Sequence, residues 1–415
     1  MDERKVAVID MKAFYASVEC IERGHNPFTT PLVVCDTSRG NGTIVLSVSP
    51  YLKDMGVPSR CRKRELPEIE GMIYAVPRMS LYLKKSAEIV SIVLDYVGED
   101  DIHVYSIDEL FIDLTPYLKM YGLTPYMLVK KIKNAIYEKL HLPTTAGIGD
   151  NMLMAKLALD LDAKKKPPYI SQWRKSDIKN KLWKVKPLSK MWGISVGYER
   201  KLNNLGIFSV GQLATADKKM LKKEFGVMGE QLHEHANGID NTNIRVKYVP
   251  KNTSLSLGQV LFRDYKVNEA KTIIREMNDD LSQRLREHEK LTGLVGLMIG
   301  YSLDIQGGFM KQVSLDIATD DTDILYNALI KIYNENVTDY PIRRISISYG
   351  KLIDPQMEQL SLFEDNEKLD KQRRLQKTID KVKSIYGKDA IARGSSLLEE
   401  STAKERHNQI GGHRK

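Results

Sequence analysis

Two adjacent acids, Asp108 and Glu109, lie at the centre of the strand-forming stretch YSIDELFIDL, residues 105 to 114. In the middle of a strand their side chains would point to opposite faces, and one carboxylate would be buried without a partner. A two-residue reversal between HVYSI and LFIDL avoids that cost and predicts both acids at the exposed tip of a hairpin. The tip lacks a counter-charge, which a divalent cation would supply.

A third carboxylate ends the first predicted strand. KVAVID, residues 5–10, finishes with Asp10, where the chain turns into a helix. Carboxylates at strand ends on one edge of a sheet are the way in which two-metal phosphoryl-transfer sites are assembled. On spacing alone a plainer interpretation stays open, in which Asp10 is a helix N-cap and the other two acids form an ordinary hairpin turn.

The helix that follows Asp10 brings further groups to the same place. AFYASVE, residues 13–19, sets backbone amides and two aromatic residues at a helix N-terminus, where a triphosphate would bind. Phe14 is expected in the core, whereas Tyr15 would place a phenol beside the metal site.

The elements that must position these residues alternate in type. The pattern predicts, in chain order, a strand, a helix, two strands, a helix and a strand, at residues 5–10, 11–22, 103–107, 110–114, 123–140 and 144–150. This order predicts an α+β sheet covered by helices.

The rest of the chain falls into three further patterns. Residues 166–240 are helical with short loops, and residues 245–350 predict four half-buried strands with two helices between them. Beyond residue 351 the sequence is charged and holds one long helical pattern. Its polar end, residues 400–415, is expected to be disordered.

Composition indicates a globular protein with a basic excess. Apolar residues make up 42%, and 63 Lys and Arg against 54 Asp and Glu give a net charge of +9. No membrane span, signal peptide or cysteine spacing typical of a metal site is present, so we expect a cytoplasmic protein without a membrane partner. Basic clusters at residues 59–66, 163–168, 218–225 and 341–346 suit nucleic acid, although 218–225 also fits a solvated helix face.

Five sequence blocks together resemble one family. They are DMKAFYASVE (10–19), SIDE (106–109), GIGDNMLMAKLALD (147–160), WGISVGYERKLNNLGIFSVGQLA (192–214) and QLSLF (359–363). In this order they resemble the Y-family, or translesion, DNA polymerases, and most of all the Gram-positive and phage-borne UV-repair polymerases of the DNA polymerase V type.

The resemblance implies a multidomain α+β fold shaped as a right hand. It implies a palm (1–21 and 77–165), fingers (22–76), a helical thumb with a helix-hairpin-helix (166–240), an α+β little finger (245–350) and a tail with a clamp-binding motif and a helix (351–415). The implied activity is error-prone, DNA-templated DNA synthesis past damaged bases. No second carboxylate cluster typical of a proofreading exonuclease is recognisable, which agrees with that activity.

The resemblance also assigns a role to each residue near the acids. Asp10 and Asp108 would bridge two Mg²⁺ ions, Glu109 and the Met11 carbonyl would complete the metal site, and Tyr15 would exclude ribonucleotides. The implied nucleotide-binding residues are Phe14, Tyr15, Ser47, Tyr51, Lys53 and Lys164.

The nucleotide-binding assignment departs from the family pattern at three places. Pro50 stands where the family often has Tyr, so Tyr51 would substitute for it, and Lys53 stands where Arg is common. Lysine is a less directional phosphate ligand than arginine. The lysine after the AKLA block is displaced by one residue, which leaves Lys164 and Lys165 as alternatives.

Implied partners are primer-template DNA, deoxynucleoside triphosphates and a replication sliding clamp, with SOS-response proteins as further candidates. DNA-binding residues would be Gly193, Ser195, Gly197, Arg343 and Arg344, where Ser195 stands in place of a usual glycine. Clamp-binding residues would be Gln359, Leu360, Ser361, Leu362 and Phe363.

Two other classes of function compete with a polymerase. A nucleotidyl cyclase uses a similar sheet and two metals, but it predicts neither the hairpin unit at 192–214 nor the clamp peptide. A non-catalytic DNA-binding scaffold would keep DNA affinity and show no Mg²⁺-dependent primer extension.

Overall fold

The computed structural model describes residues 4–250, 253–355 and 366–415, with the side chains of 366–370 left out. The chain divides into two compact units, Met1–Lys247 and Tyr248–Lys415. Among the helices of these described ranges, none has both the length and the apolarity that crossing a bilayer requires.

The first unit contains two sheets. Its strands are β1 (Val6–Met11), β2 (Leu32–Val34), β3 (Ser47–Val48), β4 (Ile73–Ala75), β5 (Ile102–Val104), β6 (Glu109–Asp113), β7 (Thr144–Gly149) and β8 (Ile170–Gln172). The larger sheet has the order β5-β6-β1-β7-β8, and the smaller one β3-β2-β4. In the larger sheet β1 is central and runs antiparallel to both neighbours.

The helices of the first unit surround these sheets and continue into an all-helical region. They are α1 (Phe14–Glu22), α2 (Pro50–Asp54), α3 (Met79–Leu94), α4 (Thr115–Tyr121), α5 (Pro125–Leu140), α6 (Met152–Ala158), α7 (Asp177–Asn180), α8 (Val196–Asn204), α9 (Val210–Thr215), α10 (Lys218–Phe225) and α11 (Val227–Ala236). The strand and helix order expected around the three acids is therefore confirmed, with the β2–β4 sheet inserted between α1 and α3.

Two glycines let α6 lie directly on the sheet. A Cβ on Gly147 would stand 2.0 Å from the Ala155 carbonyl oxygen, and one on Gly149 would stand 2.5 Å from the Ala155 amide. No side chain fits such a gap, so the GIG sequence of β7 sets the close approach of α6. The helix packs on the face that presents Val6, Val8 and Phe111.

The second unit is built on one antiparallel sheet. Its strands are β9 (Leu255–Tyr265), β10 (Leu291–Tyr301), β11 (Gly308–Thr319) and β12 (Ile342–Ile353), in the order β11-β10-β12-β9. The helices α12 (Val267–Glu287) and α13 (Thr322–Asn336) lie between strands in sequence, as the sequence predicts, and they contribute to one apolar core with β9, β10 and β12.

The C-terminal end is ordered, so the expectation of disorder for residues 400–415 is wrong. The chain forms α14 (Asn366–Tyr386), α15 (Ala403–His407) and a hairpin of β13 (Gln409–Ile410) with β14 (His413–Arg414). Arg406 pairs with Asp280 at 2.8 Å, and the buried Thr402 binds the carboxylate of Glu276 through its amide at 3.1 Å. Charged partners on α12 thus order a segment whose polar composition favours disorder.

Candidate active site

The sheet register places the candidate acids on neighbouring strands. Asp10 on β1 is paired with Glu109 on β6 and, on its other side, with Thr145 on β7. Asp108 precedes Glu109 directly, and its carbonyl accepts a hydrogen bond from the Met11 amide at 2.9 Å. The same backbone contacts therefore hold Asp10, Asp108 and Glu109 together.

The turn that carries Asp108 differs from the expected two-residue reversal. β5 ends at Val104 and β6 begins at Glu109, so residues 105–108 form the turn. Ser106 donates its hydroxyl to Asp108 Oδ1 at 2.7 Å. Glu109 is only 7% exposed and does not lie at an exposed tip, because its carboxylate finds a buried cation inside the protein.

That cation is Lys156 on α6. Its Nζ lies 2.8 Å from both carboxylate oxygens of Glu109 and donates a hydrogen bond to Oε2. The contact with Oε1 lacks hydrogen-bond geometry, so this buried oxygen has no hydrogen-bond donor. Lys156 therefore pairs with both oxygens of Glu109 and makes an aligned hydrogen bond to Oε2.

Asp10 is held by a second lysine. Lys164 Nζ lies 3.0 Å from Asp10 Oδ2 and 2.9 Å from Asp160 Oδ1. Lys156 also reaches Asp160, at 3.3 Å from Oδ2. Asp160 therefore joins the two lysines that contact the candidate metal ligands.

A π-helical turn explains which lysine reaches Asp10. Residues Leu159–Ala163 form this turn, and the Lys164 amide donates to the Leu159 carbonyl, five residues earlier, at 3.1 Å. A π turn accommodates one residue more than an α turn, and such turns are frequent at functional sites. The π turn accommodates the one-residue displacement of the lysine after the AKLA block. As a result Lys164, rather than Lys165, contacts Asp10.

Burial dominates the electrostatics of the two paired acids. Burial raises the pKa of Asp10, and the ion pair with Lys164 only partly offsets it. Burial likewise raises the pKa of Glu109 despite the contact with Lys156. For both carboxylates the cost of desolvation outweighs the stabilisation by the neighbouring lysine.

The donor set fits Mg²⁺, although the acids are not yet turned toward one ion. Carboxylate and carbonyl oxygens are the ligands that Mg²⁺ prefers. Within the described part of the chain, no group of three or more His, Cys, Asp or Glu side chains is arranged as a ready metal site. Here Asp10 directs an oxygen at the ammonium group of Lys164, and Glu109 directs its oxygens at that of Lys156.

Tyr15 lies next to this acid cluster on a rigid support. Its ring stacks on Tyr82 with centroids 4.4 Å apart and planes at 16°. Burial, followed by the charge of Asp108, raises the pKa of the Tyr15 phenol.

Ala13, before α1, adopts a left-handed φ of 52°, which costs a non-glycine residue about 1 kcal/mol. The chain thus bends sharply between Asp10 and Tyr15.

The support of Tyr82 is a buried glutamate. Tyr82 donates its hydroxyl to Glu19 Oε1 at 2.7 Å, and Arg78 donates to both Glu19 oxygens at 3.0 and 2.7 Å. Arg23 also donates to this carboxylate. Tyr15 therefore rests on an aromatic ring fixed by a fully paired ion cluster.

The remaining nucleotide candidates occupy different surroundings. Desolvation lowers the pKa of Lys53, as do the nearby charges of Lys164 and Lys12, whereas Asp10 and Asp108 act in the opposite direction. Lys53 therefore lies close enough to Asp10, Asp108, Lys12 and Lys164 for their charges to act on it. Ser47 accepts the Ala16 amide of α1 at 3.4 Å, and Tyr51 packs on the core beside β2 and β3. Phe14 is buried, as expected.

Comparisons with known proteins identify the family. Residues 9–160 match the model of the impB/mucB/samB family, and residues 252–362 match the model of its C-terminal domain. The UV-damage repair protein UvrX of Bacillus subtilis is 39% identical over 415 residues, covering 99% of this chain and 98% of its own. The chain belongs to the Y-family translesion DNA polymerases.

Two further matches span most of the chain. DNA polymerase IV 2 of Bacillus subtilis is 32% identical over 423 residues and is covered completely. A solved Y-family DNA polymerase chimera, Dbh-Dpo4-Dbh, shares the fold with a TM-score of 0.67 at 20% identity, over 84% of this chain and 99% of the chimera. The resemblance and the fold class read from the sequence are confirmed.

The candidate DNA-binding residues lie in both units of this Y-family chain. Gly193 has a φ of 91°, a conformation that glycine adopts freely, and Ser195 caps α8 by accepting the Tyr198 amide at 3.3 Å. Gly197 lies in the first turn of α8. In the second unit Arg344 is exposed on β12, and Arg343 beside it pairs with Asp264 at 3.5 Å. Residues 359–363 lie outside the described residues.

Sequence reasoning missed three charged residues at the site: Lys156, Asp160 and Glu19. Lys156, Asp160 and Lys164 follow one another at intervals of four, which indicates a common helix face. Glu19 was read only as part of a motif, although an acid within the apolar run SVECI signals a buried ion pair.

Proposed function

We propose that this chain catalyses error-prone, DNA-templated DNA synthesis past damaged template bases, without proofreading, in the cytoplasm. The observation that carries the proposal is the pairing of β1 with β6. It sets Asp10, Asp108 and Glu109 side by side, with the ammonium of Lys164 at Asp10 and that of Lys156 at Glu109. Neither a nucleotidyl cyclase nor a DNA-binding scaffold is favoured by the family match over the whole chain.

In this proposal Asp10, Asp108, Glu109 and the Met11 carbonyl hold two Mg²⁺ ions. When bound, the metals lower the pKa of the primer hydroxyl and stabilise the charge on the phosphorus. Ser106 orients Asp108 through the 2.7 Å hydrogen bond, and the Met11 amide fixes the turn.

The surrounding residues select and hold the incoming nucleotide. Lys53 and Lys164 supply positive charge for the triphosphate, with Ser47 and Tyr51 nearby in sequence. Tyr15 excludes ribonucleotides in this proposal, because a ring next to the sugar clashes with a 2′-hydroxyl, and its stack on Tyr82 supports the proposal by limiting movement of the ring.

DNA is held by two sets of groups. The loop at Gly193, Ser195 and Gly197 offers backbone amides to phosphates, which requires no base sequence. Arg344 and Arg343 on the little-finger sheet add salt-sensitive backbone contacts.

The deciding experiment is primer extension on undamaged and lesion-containing templates, with Mg²⁺ and with EDTA. We expect metal-dependent extension that continues past a lesion. DNA binding with no extension under any metal condition would favour a scaffold, and conversion of a triphosphate without template would favour a cyclase.

A sliding clamp is the proposed partner of Gln359–Phe363, with SOS-response proteins as further candidates. Leu362 and Phe363 stand in a polar stretch, DPQMEQLSLFEDNEK, in which two large apolar side chains suit a pocket on a partner. Leu362→Ala with Phe363→Ala is expected to leave distributive extension unchanged and to remove stimulation by the clamp. Undiminished stimulation of the double variant would place the clamp contact elsewhere.

A further inference from the structure

Two lysines contact the carboxylates that we propose as metal ligands. The ammonium of Lys156 lies 2.8 Å from Glu109, and that of Lys164 lies 3.0 Å from Asp10. Lys156 and Glu109 are both almost fully buried, so neither charge is screened effectively by water. Each lysine therefore neutralises one of the acids within the protein itself.

The same two lysines share a second acceptor that does not lie on the metal-ligand strands. Asp160 lies 3.3 Å from Lys156 and 2.9 Å from Lys164. In the sequence it stands four residues after Lys156 and four residues before Lys164. Each ammonium thus contacts one candidate metal ligand and one acid on its own helical segment. A lysine that leaves Asp10 or Glu109 keeps a charge partner at Asp160.

We propose that Lys156 and Lys164 are counter-ions that occupy Asp10 and Glu109 before metal binds, and that Asp160 is the positioning residue that receives both lysines when metal arrives. The inference rests on the proposed function, because it takes Asp10 and Glu109 as metal ligands. Metal binding and lysine release are then one equilibrium.

A consequence concerns the order of loading. Lys164 also belongs to the group of ammonium ions around Lys53 and Lys12. Once metal releases it from Asp10, its charge is available to a triphosphate, so metal and nucleotide strengthen each other's binding. This coupling is reciprocal by thermodynamic linkage.

The test measures Mn²⁺ affinity by electron paramagnetic resonance of the free ion, without DNA or nucleotide. Lys156→Met and Lys164→Met are each expected to bind Mn²⁺ about tenfold more tightly, which is about 1.4 kcal/mol. Asp160→Asn is expected to bind it more weakly, because the released lysines lose their acceptor. A purely structural role for the lysines predicts equal or weaker binding in all three variants.

Lys133→Met is the matched control. Lys133 is as buried as Lys156, but its Nζ donates to the carbonyls of Pro168 and Tyr169 rather than to a carboxylate. Its removal should leave Mn²⁺ affinity unchanged. If Lys156→Met fails to fold, as judged by its melting curve in EDTA, the less buried Lys164→Met decides the question.

A second measurement repeats the titration with a non-hydrolysable deoxynucleoside triphosphate. The wild type should gain more Mn²⁺ affinity from the nucleotide than Lys164→Met does. Unchanged Mn²⁺ affinity in Lys164→Met, in a wild type that binds Mn²⁺ and extends primers, overturns this inference alone. A wild type that neither binds Mn²⁺ nor extends primers overturns the proposed function instead.

Discussion

Two buried glutamates in the first unit have the same ordinary pKa of 4.5 and opposite shifts. Burial raises the pKa of both, but for Glu19 the hydrogen bonds from Arg78, Arg23 and Tyr82 outweigh it and lower the pKa. Glu109 has one lysine, an oxygen without a donor and a raised pKa. The hydrogen bonds to Glu19 outweigh the cost of its burial, whereas the contact of Glu109 with Lys156 does not.

The difference separates a supporting carboxylate from a reactive one. Glu19 fixes Tyr82, on which Tyr15 stacks, so its full pairing contributes rigidity. Glu109 and Asp10 each contact a lysine, and these contacts do not offset the cost of burial. Perturbed acids of this kind are concentrated at functional sites.

The largest expected effect comes from removing one of the acids that we propose as metal ligands. Asp108→Ala or Glu109→Ala should lower primer extension by about a thousandfold or more, because transition-state charge loses its stabilisation. DNA affinity measured by fluorescence anisotropy should stay close to that of the wild type, since phosphate contacts lie elsewhere.

Asp113→Ala is the control for this change. Asp113 lies on the same strand, but it pairs with Arg4 at 3.1 Å rather than with the site. Its variant should retain extension. Wild-type-like extension by the Glu109 variant would contradict the assignment of Glu109 as a metal ligand.

The next largest effect is expected from removing the ring of Tyr15, which stacks on Tyr82. Tyr15→Ala should raise ribonucleotide incorporation relative to deoxynucleotide incorporation by about a hundredfold, as roughly 2.7 kcal/mol of lost steric exclusion implies. Single-nucleotide incorporation with matched rNTP and dNTP gives the ratio. Tyr15→Phe keeps the ring and should keep the discrimination. An unchanged ratio in Tyr15→Ala would assign sugar selection to another residue.

The opposite shifts of the two glutamates predict opposite pH dependences of stability. Glu19 has a lowered pKa, so its stabilising contribution is present above pH 4.5 and is lost as the pH falls through the folded-state pKa. Glu109 has a raised pKa, so its contribution is present below pH 4.5 and is lost as the pH rises through the folded-state pKa.

Urea unfolding in EDTA of Glu19→Gln and Glu109→Gln against the wild type tests this comparison. At neutral pH Glu19→Gln should lose about 2–3 kcal/mol, since a buried charged hydrogen-bond network is broken. The difference between wild type and variant should grow with pH for Glu19 and shrink with pH for Glu109. Parallel slopes would show that the two carboxylates are equally satisfied.

The sequence carried much of the fold, because strand and helix periods repeat clearly around the acids. Strand ends indicate that Asp10 lies on the same sheet edge as Asp108 and Glu109, although spacing alone leaves a plain helix cap and hairpin turn open, and the register pairs Asp10 with Glu109. The ion pair between Glu109 and Lys156 was not predictable from the sequence. Lys156 lies 47 positions after Glu109, and the packing of α6 on β7 brings the two side chains together. The order of residues 400–415 was not predicted either, because it depends on contacts of Thr402 and Arg406 with residues of α12 that are distant in the sequence.

The smallest expected effect extends the comparison to two adjacent cations on β12. Arg343 pairs with Asp264 at 3.5 Å, whereas Arg344 is exposed and has no acidic partner among the described residues. An unpaired arginine is free to neutralise a phosphate, so Arg344→Ala should weaken primer-template binding several-fold. It should also reduce the slope of log affinity against log salt by about 0.9, the contribution of one phosphate contact.

Arg343→Ala provides the matched comparison, since it removes the same side chain one position away. Its effect on affinity and on the salt slope should be smaller, because Asp264 already compensates part of its charge. Titrations by fluorescence anisotropy across a series of salt concentrations give both slopes. Equal slopes for the two variants would mean that an acidic partner does not decide which cation binds DNA, and the distinction between Glu19 and Glu109 would then hold only for buried charges.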